Sequence, residues 1–295
     1  MKLVFVILNY GTFKETTECV QSINNHIDLS VKEYHIVIVD NGSLDNSGIE
    51  LRKVYQMEKN VDIILNPQNL GFAKGNNIGI QYANEKFDPE FVVVLNSDTE
   101  LFQDDFYEKV SNEYKNSHFG VLGPMMLTGD GRCNDSPWKP VEIKAVKKRI
   151  QELQKEKKRV LNRTIYIKKI IDKIMEKIKI NNWQDDLHEH LDFWKYNTDV
   201  ELQGAFLIFS KDIFNFIDGF DSRTFLYYEE QLLYLHVKKS GLPIVYDPRI
   251  SIYHKDGCSA KKTGGSSREK MLFFNNCNLE SLKLVLEELE KDNIK

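Results

Sequence analysis

Cysteine is scarce in this 295-residue chain, and Cys19, Cys133, Cys258 and Cys277 lie far apart with no CxxC pair among them. That spacing excludes a zinc knuckle and a redox motif, and points to free thiols in a reducing compartment. Glycine and proline are few, 16 and 7, which excludes low-complexity and collagen-like classes. No stretch approaches the roughly 18 apolar residues of a membrane span. The opening run Met1–Tyr10 is apolar over too few residues for a secretory signal, and no small-residue cleavage site follows. The expectation is a cytoplasmic protein. Net positive charge is missing as well: the formal charge is −4, which excludes a globally basic nucleic-acid binder.

What is present is unevenly spread. Residues 141–180 hold 11 Lys and 3 Arg against 4 Glu and 1 Asp, or +9, so the other 255 residues carry −13. No Pro or Gly falls between Pro140 and Gly204. Apolar residues recur at Ile143, Val146, Ile150, Leu153, Val160, Ile167, Ile171, Ile174 and Ile178, with Lys157 and Thr164 breaking the 3-4 spacing. The pattern predicts a long basic amphipathic helix, or a helical hairpin bent near Asn162. Trp183, Leu187, Leu191, Phe193 and Trp194 predict a second, aromatic helical patch. Three roles are open to 141–196: a lid or packing helix with solvated lysines, a seam for a second copy in a homodimer, or an anchor to the anionic inner face of the cell membrane.

The first 125 residues alternate between two periods. β-Branched runs at Leu3–Leu8, Tyr34–Val39, Val61–Leu65 and Phe91–Leu95 are separated by helix-like stretches at Lys14–Asn25, Ser47–Met57 and Ala73–Asn84. Such alternation predicts an α/β fold with a mostly parallel sheet covered on both faces. Each run ends in a polar cluster, and ligands of open α/β sheets sit beyond those carboxyl ends. After Val200 come a strand at Leu202–Phe209, helices at Lys211–Ile217 and Tyr228–Lys239, strands near Ile244–Tyr246 and Ile250–His254, a Gly-Gly-Ser-Ser loop at Gly264–Ser267 and a C-terminal helix.

Five places can carry chemistry. Asp40 ends a strand, where its carboxylate can take a nucleobase N–H or a ribose hydroxyl, or simply form a turn. Asp98, in Asn96-Ser97-Asp98, suits a divalent cation that also holds phosphate oxygens, or caps the next helix near Asp104. Gly71–Asn77 opens a helix whose N–H groups suit phosphate or ribose, although neither GxGxxG nor GxxxxGK[ST] is present. Glu229-Glu230 begins a helix after aromatics, as a general base or as ordinary partners of the helix dipole. His254 ends a strand and can reach a metal or phosphate, or serve structure alone. His188 and His190 read as a solvated helix face.

In order, these pieces resemble the family 2 glycosyltransferases. The run Val-Ile-Leu-Asn-Tyr10, Val-Asp40-Asn-Gly-Ser, Asn69-Leu-Gly-Phe-Ala-Lys-Gly-Asn-Asn77 and Leu-Asn-Ser-Asp98 is similar to the donor side of that family. Gly204-Ala-Phe-Leu-Ile, Gly219-Phe-Asp221, Phe225-Leu-Tyr-Tyr-Glu-Glu230 and His254-Lys-Asp-Gly-Cys-Ser259 are similar to its acceptor side. The likeness is closest to the rhamnosyltransferase-like branch that builds bacterial surface polysaccharides.

The resemblance implies a GT-A, Rossmann-like fold, in which the basic helical segment is an insertion the family pattern lacks. The chain then divides into a donor half (1–130), the insertion (131–200), an acceptor half (201–275) and a C-terminal helix or tail (276–295). It implies an inverting transfer from a UDP- or dTDP-sugar to a glycan or lipid-linked saccharide, with Mg²⁺ or Mn²⁺. Tyr10 and Asp40, with Asn9 beside them, match nucleoside positions. Asn69, Gly71, Lys74 and Asn77 match the ribose and diphosphate loop, and Asn96 and Ser97 lead to the metal ligand Asp98, which His254 completes. Glu230, with Glu229, stands where the family has its base, and Gly204, Ala205, Asp221 and Tyr228 fall on the acceptor side. Asn96 stands where many members have Asp, Glu230 where they have Asp, and Leu232 replaces a carboxylate. A catalytically silent relative that binds nucleotide sugars or organises an assembly is the second reading.

Overall fold

A computed structural model describes residues 1–27, 33–128, 136–162, 187–255 and 267–292. The four apolar runs form parallel strands β1 (Leu3–Asn9), β2 (Tyr34–Asp40), β3 (Val61–Leu65) and β4 (Phe91–Asn96). Between them run α1 (Phe13–His26), α2 (Ser47–Tyr55) and α3 (Phe72–Phe87). Then follow β5 (Thr99–Leu101), α4 (Phe106–Ser117) and β6 (Val121–Thr128). After the insertion helix α5 (Ile143–Leu161) come β7 (Asn197–Thr198), β8 (Phe206–Ser210), α6 (Glu229–Ser240), β9 (Ile244–His254) and α7 (Ser267–Asp292).

The strands join in one sheet of order β3-β2-β1-β4-β8-β6-β9-β5, with β7 paired to β9. Its β1–β4 half and the β6–β9 pair are parallel, while β8 enters antiparallel between β4 and β6. Both faces are buried, as strands without polar alternation require. Leu3, Phe5 and Ile7 pack with Val20 and Ile23 of α1, Leu51 of α2 and Phe106 of α4. Val4 and Val6 pack with Ile80 of α3 and Leu233 and Val237 of α6 on the other face. This is a mixed α/β fold with a mostly parallel central sheet.

The structure adjusts several expectations. Residues 211–217 form a short 3-10 turn at Lys211–Asn215 rather than a full helix. The two strands anticipated at 244–254 are one strand, β9, with an irregularity: β6 residues Pro124 and Met125 pair with Asp247 and Ser251, so residues 248–250 bulge out. The aromatic patch is not helical over its described part, since residues 187–196 carry turns and a bridge from His190 to Trp138. Trp183, Cys133, Cys258, most of the Gly264–Ser267 loop and the continuation of the basic helix beyond Asn162 lie outside the described residues. No helix among the described residues is long and apolar enough to cross a membrane.

Helix α5 has a partner in its own chain. Val146, Ile150 and Leu153 pack with Leu279, Leu282 and Val285 of α7 and with Leu232 of α6. Over 143–161 the apolar seam is therefore filled from within, while Lys144, Lys147, Lys148, Lys155 and Lys158 stand exposed.

Candidate active site

Parallel register brings the strand ends together: Asn9 lies opposite Asp40, and Leu8 opposite Asn96. Asp40 is buried, and its Oδ1 accepts from Asn9 Nδ2 at 2.6 Å and Ser43 Oγ at 2.5 Å. Asn9 Oδ1 accepts from Thr12 N, Thr12 Oγ1 and Thr16 Oγ1 at 3.0–3.2 Å. Thr12 Oγ1 in turn lies 2.8 Å from Ser97 Oγ. Asn41 ties this end to the next loop. Its Nδ2 donates to Asn69 Oδ1 and Gly71 O, and its Oδ1 accepts from Asn66 Nδ2 and Leu70 N. Gly71 has φ +85°, and an added Cβ would lie 2.4 Å from Phe225 O, so only glycine lets the loop pass this close. Lys74 is exposed on the first turn of α3.

Pairing of β5 with β9 sets Thr99 opposite His254. Asp98 Oδ1 stands 3.3 Å from His254 Nε2, both side chains buried. Among the described residues no three His, Cys, Asp or Glu side chains converge. A hard divalent cation is commonly bound by one or two carboxylates together with substrate phosphates. The Asp98–His254 pair fits that limited role, with substrate oxygens as the remaining ligands.

Beside this pair opens a cavity of about 390 Å³ whose wall includes Asn96, His254, Gly204, Glu229 and Glu230. Both glutamates start α6, behind Tyr227 and Tyr228, whose φ values of 73° and 63° lie in the left-handed region. Holding two bulky residues there costs on the order of 1 kcal/mol or more each, and it turns the chain so that α6 begins at the cavity. Glu230 Oε1 accepts the Gly204 N–H at 3.1 Å, and an added Cβ on Gly204 would sit 2.8 Å from that oxygen. Desolvation by burial raises the Glu230 carboxyl above the usual carboxylate range. Burial, and then the charge of Glu230, push Glu229 up to about 8. Burial thus holds both carboxyls above the usual carboxylate range, and their like charges disfavour ionising the two together.

The sequence pattern of Glycosyl transferase family 2 matches residues 4–217. The chain belongs to glycosyltransferase family 2. Among curated relatives, a low-salt glycan biosynthesis hexosyltransferase of Haloferax volcanii is 29% identical over 136 residues, 46% of this chain and 40% of the relative. Glycosyltransferase GlyG of Streptococcus pneumoniae is 33% identical over 94 residues, 32% of this chain and 29% of the relative. The matches thus span less than half of either relative's length. Among solved structures, TarS of S. aureus with UDP-GlcNAc superposes with a TM-score of 0.54 at 16% identity, covering 98% of this chain and 72% of that one. GalNAc-T7 with UDP, GalNAc and Mn²⁺ gives 0.57 at 11% identity, covering 98% and 48%. These likenesses establish the fold, GT-A.

Within this family member the anticipated residues separate into groups. Asn96, Gly204, Ala205, Tyr228, Glu229, Glu230 and His254 share the cavity. Tyr10, Asp40, Asn69, Gly71 and Lys74 gather at the ends of β1 and β2 and the start of α3, outside it. Asn9 bonds Asp40, Thr12 and Thr16, and Ser97 Oγ lies against Thr12 Oγ1, so both also brace Asp40 and the β1 turn. Asn77 Nδ2 donates to Phe220 O at 2.7 Å and its Oδ1 accepts the Phe220 N–H at 2.8 Å. It latches α3 to the Gly219–Asp221 turn. Asp221 lies away from the cavity in a bidentate pair with Arg223, which also reaches Glu288.

Two cavity residues, and one buried group bonded to the cavity residue Gln231, were missed. Glu201 is buried, accepts from Val141 N at 2.8 Å and Gln231 Nε2 at 3.0 Å, and burial pushes its carboxyl up to about 7. His188 lies 2.9 Å from Gln231 Nε2 with its ring 4.6 Å from that of Trp138, a packed position rather than a solvated helix face. Arg149, from α5, also lines the cavity. Their only sequence signal is an Arg on the flank of the apolar stripe, three residues after Val146 and four before Leu153.

Proposed function

We propose that this chain is an inverting, metal-dependent hexosyl- or rhamnosyltransferase. It takes a UDP- or dTDP-sugar as donor and a hydroxyl of a glycan or lipid-linked saccharide as acceptor, in surface polysaccharide assembly. The observation that carries the reading is one cavity that holds Glu230 against the Gly204 N–H and His254 on its donor side. Support for the donor comes from family membership and from the nucleotides present in fold neighbours. The exposed lysine face of α5 is complementary to an anionic membrane, which is why lipid-linked saccharides stand among the acceptors.

In this mechanism Tyr10 and Asp40 hold the nucleoside, and the start of α3 offers N–H groups to the diphosphate. A divalent cation held by Asp98 and His254 would neutralise charge on the leaving diphosphate. Glu230 takes the proton of the acceptor hydroxyl as its oxygen bonds to the anomeric carbon from the face opposite the leaving group. The electron pair of the broken C–O bond departs with the nucleoside diphosphate, and Glu230 is left protonated. Partial burial suits this role, because a carboxylate raised towards neutral pH is a stronger base.

The test is a panel of UDP, dTDP and GDP sugars with Mg²⁺ or Mn²⁺, read as nucleotide binding and sugar release. Glu230→Gln is expected to lower transfer by roughly 10²–10⁴-fold while nucleotide affinity stays unchanged, and Asp98→Ala to weaken metal-dependent donor binding. Full transfer by Glu230→Gln would remove Glu230 from the role of base. Absence of binding by any nucleotide would favour the silent relative.

A further inference from the structure

Several polar groups of the cavity wall are satisfied within the chain. Gln231 Nε2 donates to Glu201 Oε2 and lies 2.9 Å from His188 Nε2, and Asn278 Nδ2 donates to Phe274 O. Two side-chain oxygens of the same wall differ. Gln203 Oε1 and Glu229 Oε1 are buried with no hydrogen-bond partner among the described residues. Glu229 is only 3% exposed. Thr224 and the backbone at Tyr227 act on its carboxyl, yet Oε1 is left unpaired. Buried polar atoms of folded proteins are nearly always paired, so each exception needs a cause.

The two positions are related. Gln203 directly precedes Gly204 and Glu229 directly precedes Glu230, the residues joined by the 3.1 Å bond from the Gly204 N–H to Glu230 Oε1. Both oxygens therefore belong to the segments that place the proposed base: the turn before β8 and the start of α6. The bond between their neighbours already joins those segments. What the two oxygens lack is a donor. A fully ionised phosphate or carboxylate offers acceptors only and leaves them unpaired. A hydroxyl both donates and accepts, so it suits Gln203 whichever way the amide is turned and Glu229 in either protonation state. A sugar ring carries several hydroxyls around apolar C–H faces, and Tyr227 and Phe72 present aromatic faces on the same wall.

We infer that Gln203 and Glu229 are specificity-determining residues, each bonding a ring hydroxyl of the sugar that occupies this cavity. The inference rests on the glycosyl-transfer reading and deepens it, since the site then selects its sugar by two hydroxyls read beside the base. A sugar without one of them leaves a buried oxygen unpaired again and is rejected on that account. The rings of the donor and of the acceptor offer the same chemistry, and the experiment separates them. Ordered water would satisfy the same oxygens without conferring any selection.

The experiment compares the full wild-type chain with Gln203→Met, Glu229→Met and Glu229→Gln, the methionines keeping side-chain length while removing the oxygens. Calorimetry measures UDP against UDP-glucose, or the nucleotide and nucleotide sugar that the donor panel selects. Ligand-observed NMR then titrates methyl α-glucoside, methyl α-mannoside and methyl α-rhamnoside into the chain saturated with UDP and Mn²⁺. Wild type is expected to bind at least one sugar, on the nucleotide or free. Both methionine variants should weaken that binding about tenfold or more, while Glu229→Gln keeps most of it and UDP affinity is equal in all four. Loss confined to the nucleotide sugar assigns the pair to the donor's ring, loss confined to free glycosides to the acceptor's, and loss in both to one oxygen on each ring. Removing an unpaired buried oxygen relieves a cost, so Gln203→Met should resist urea at least as well as wild type. Equal sugar binding by wild type and the methionine variants overturns the inference and leaves the oxygens to water. Binding of no sugar by wild type, weaker UDP binding in the methionine variants, or a clearly less stable Gln203→Met overturns it too. Wild type without affinity for any nucleotide overturns the underlying transferase reading, a separate failure seen before any sugar is added.

Discussion

Gly48 offers a way to disturb the proposed nucleoside end of the site without touching a residue proposed to meet substrate. It is the second residue of α2, and an added Cβ would lie 2.4 Å from Asp40 Cγ and 2.5 Å from Asp40 Oδ2. Real Cβ contacts essentially never fall below 3.0 Å, so in Gly48→Ala the carboxylate must withdraw. It cannot do so freely, because Asn9 Nδ2 holds Oδ1 at 2.6 Å and Ser43 N donates to Oδ2 at 3.2 Å. Hydrogen bonds to a charged group are each worth about 1.5–3 kcal/mol, whereas Ala over Gly returns at most about 1 kcal/mol of helix propensity. Gly48→Ala should therefore lose about 1–3 kcal/mol of stability, in the range of overpacked sites. It should also bind UDP about 10–100-fold more weakly, the equivalent of one misaligned charge-assisted bond. Urea unfolding measures the first effect and calorimetric titration of UDP the second, with Asp40→Asn as a comparison that keeps the side-chain volume. A Gly48→Ala protein that is as stable as wild type and binds UDP equally well refutes both the clash and the role of Asp40.

Two further outcomes follow from the same network logic. Asn77→Ala breaks both hydrogen bonds to Phe220 and should cost about 2–3 kcal/mol with UDP affinity unchanged; weaker UDP binding at full stability would return Asn77 to the diphosphate loop. Glu201 has a folded-state pKa of about 7, raised from an ordinary value near 4.5, so below about pH 4.5 it exerts no pH-dependent effect. Above that pH the unfolded chain ionises first, and stability falls by about 3 kcal/mol until the folded carboxyl also ionises near pH 7. Glu229, raised to about 8, acts in the same direction over a wider window, so Glu201→Gln should make the decline from pH 5 to 7 shallower without abolishing it. Urea midpoints across that range with identical slopes for the two proteins would show that Glu201 is not the group responsible.

The donor half was readable because its strands are buried on both faces and so consist of β-branched runs with polar clusters at their ends. β1 to β4 fall within about one residue of the expected limits. β6 escaped notice because Gly123-Pro124 interrupts it, a dipeptide that reads as a break in a strand. β5 has three residues, too few to show a period. Residues 248–250 divided β9 on paper, and in the fold they form its bulge. The site shows a different limit. A side chain required to hold a backbone turn, such as Asn77, has the same identity in the sequence as one required to hold a ligand. His188 and Arg149 reach the cavity from segments distant in sequence from its glutamates, and Glu201 lies behind it against Gln231, so no local spacing marks them.

The basic insertion shows how much a single period leaves open. The 3-4 spacing states only that one stripe of α5 is covered, and a lid, a second copy and an internal partner all satisfy it equally. In the fold the three sides of α5 have three environments: Val146, Ile150 and Leu153 against α7, Arg149 at the cavity, and Lys144, Lys147 and Lys148 towards solvent. Deleting the segment would therefore uncover Leu232, Leu279, Leu282 and Val285 and remove part of the cavity wall together with the charge. Loss of activity after such a deletion would follow from exposed apolar surface alone, whatever the lysines do. Changes confined to one side are the informative ones. Reversing Lys147 and Lys148 alters the outer charge and leaves the stripe covered, although it also removes the exposed pairs of Lys147 with Glu290 and of Lys148 with Glu152. Such exposed pairs contribute about 0–1 kcal/mol each, so a loss of activity with unfolding unchanged would point to a partner of the outer face.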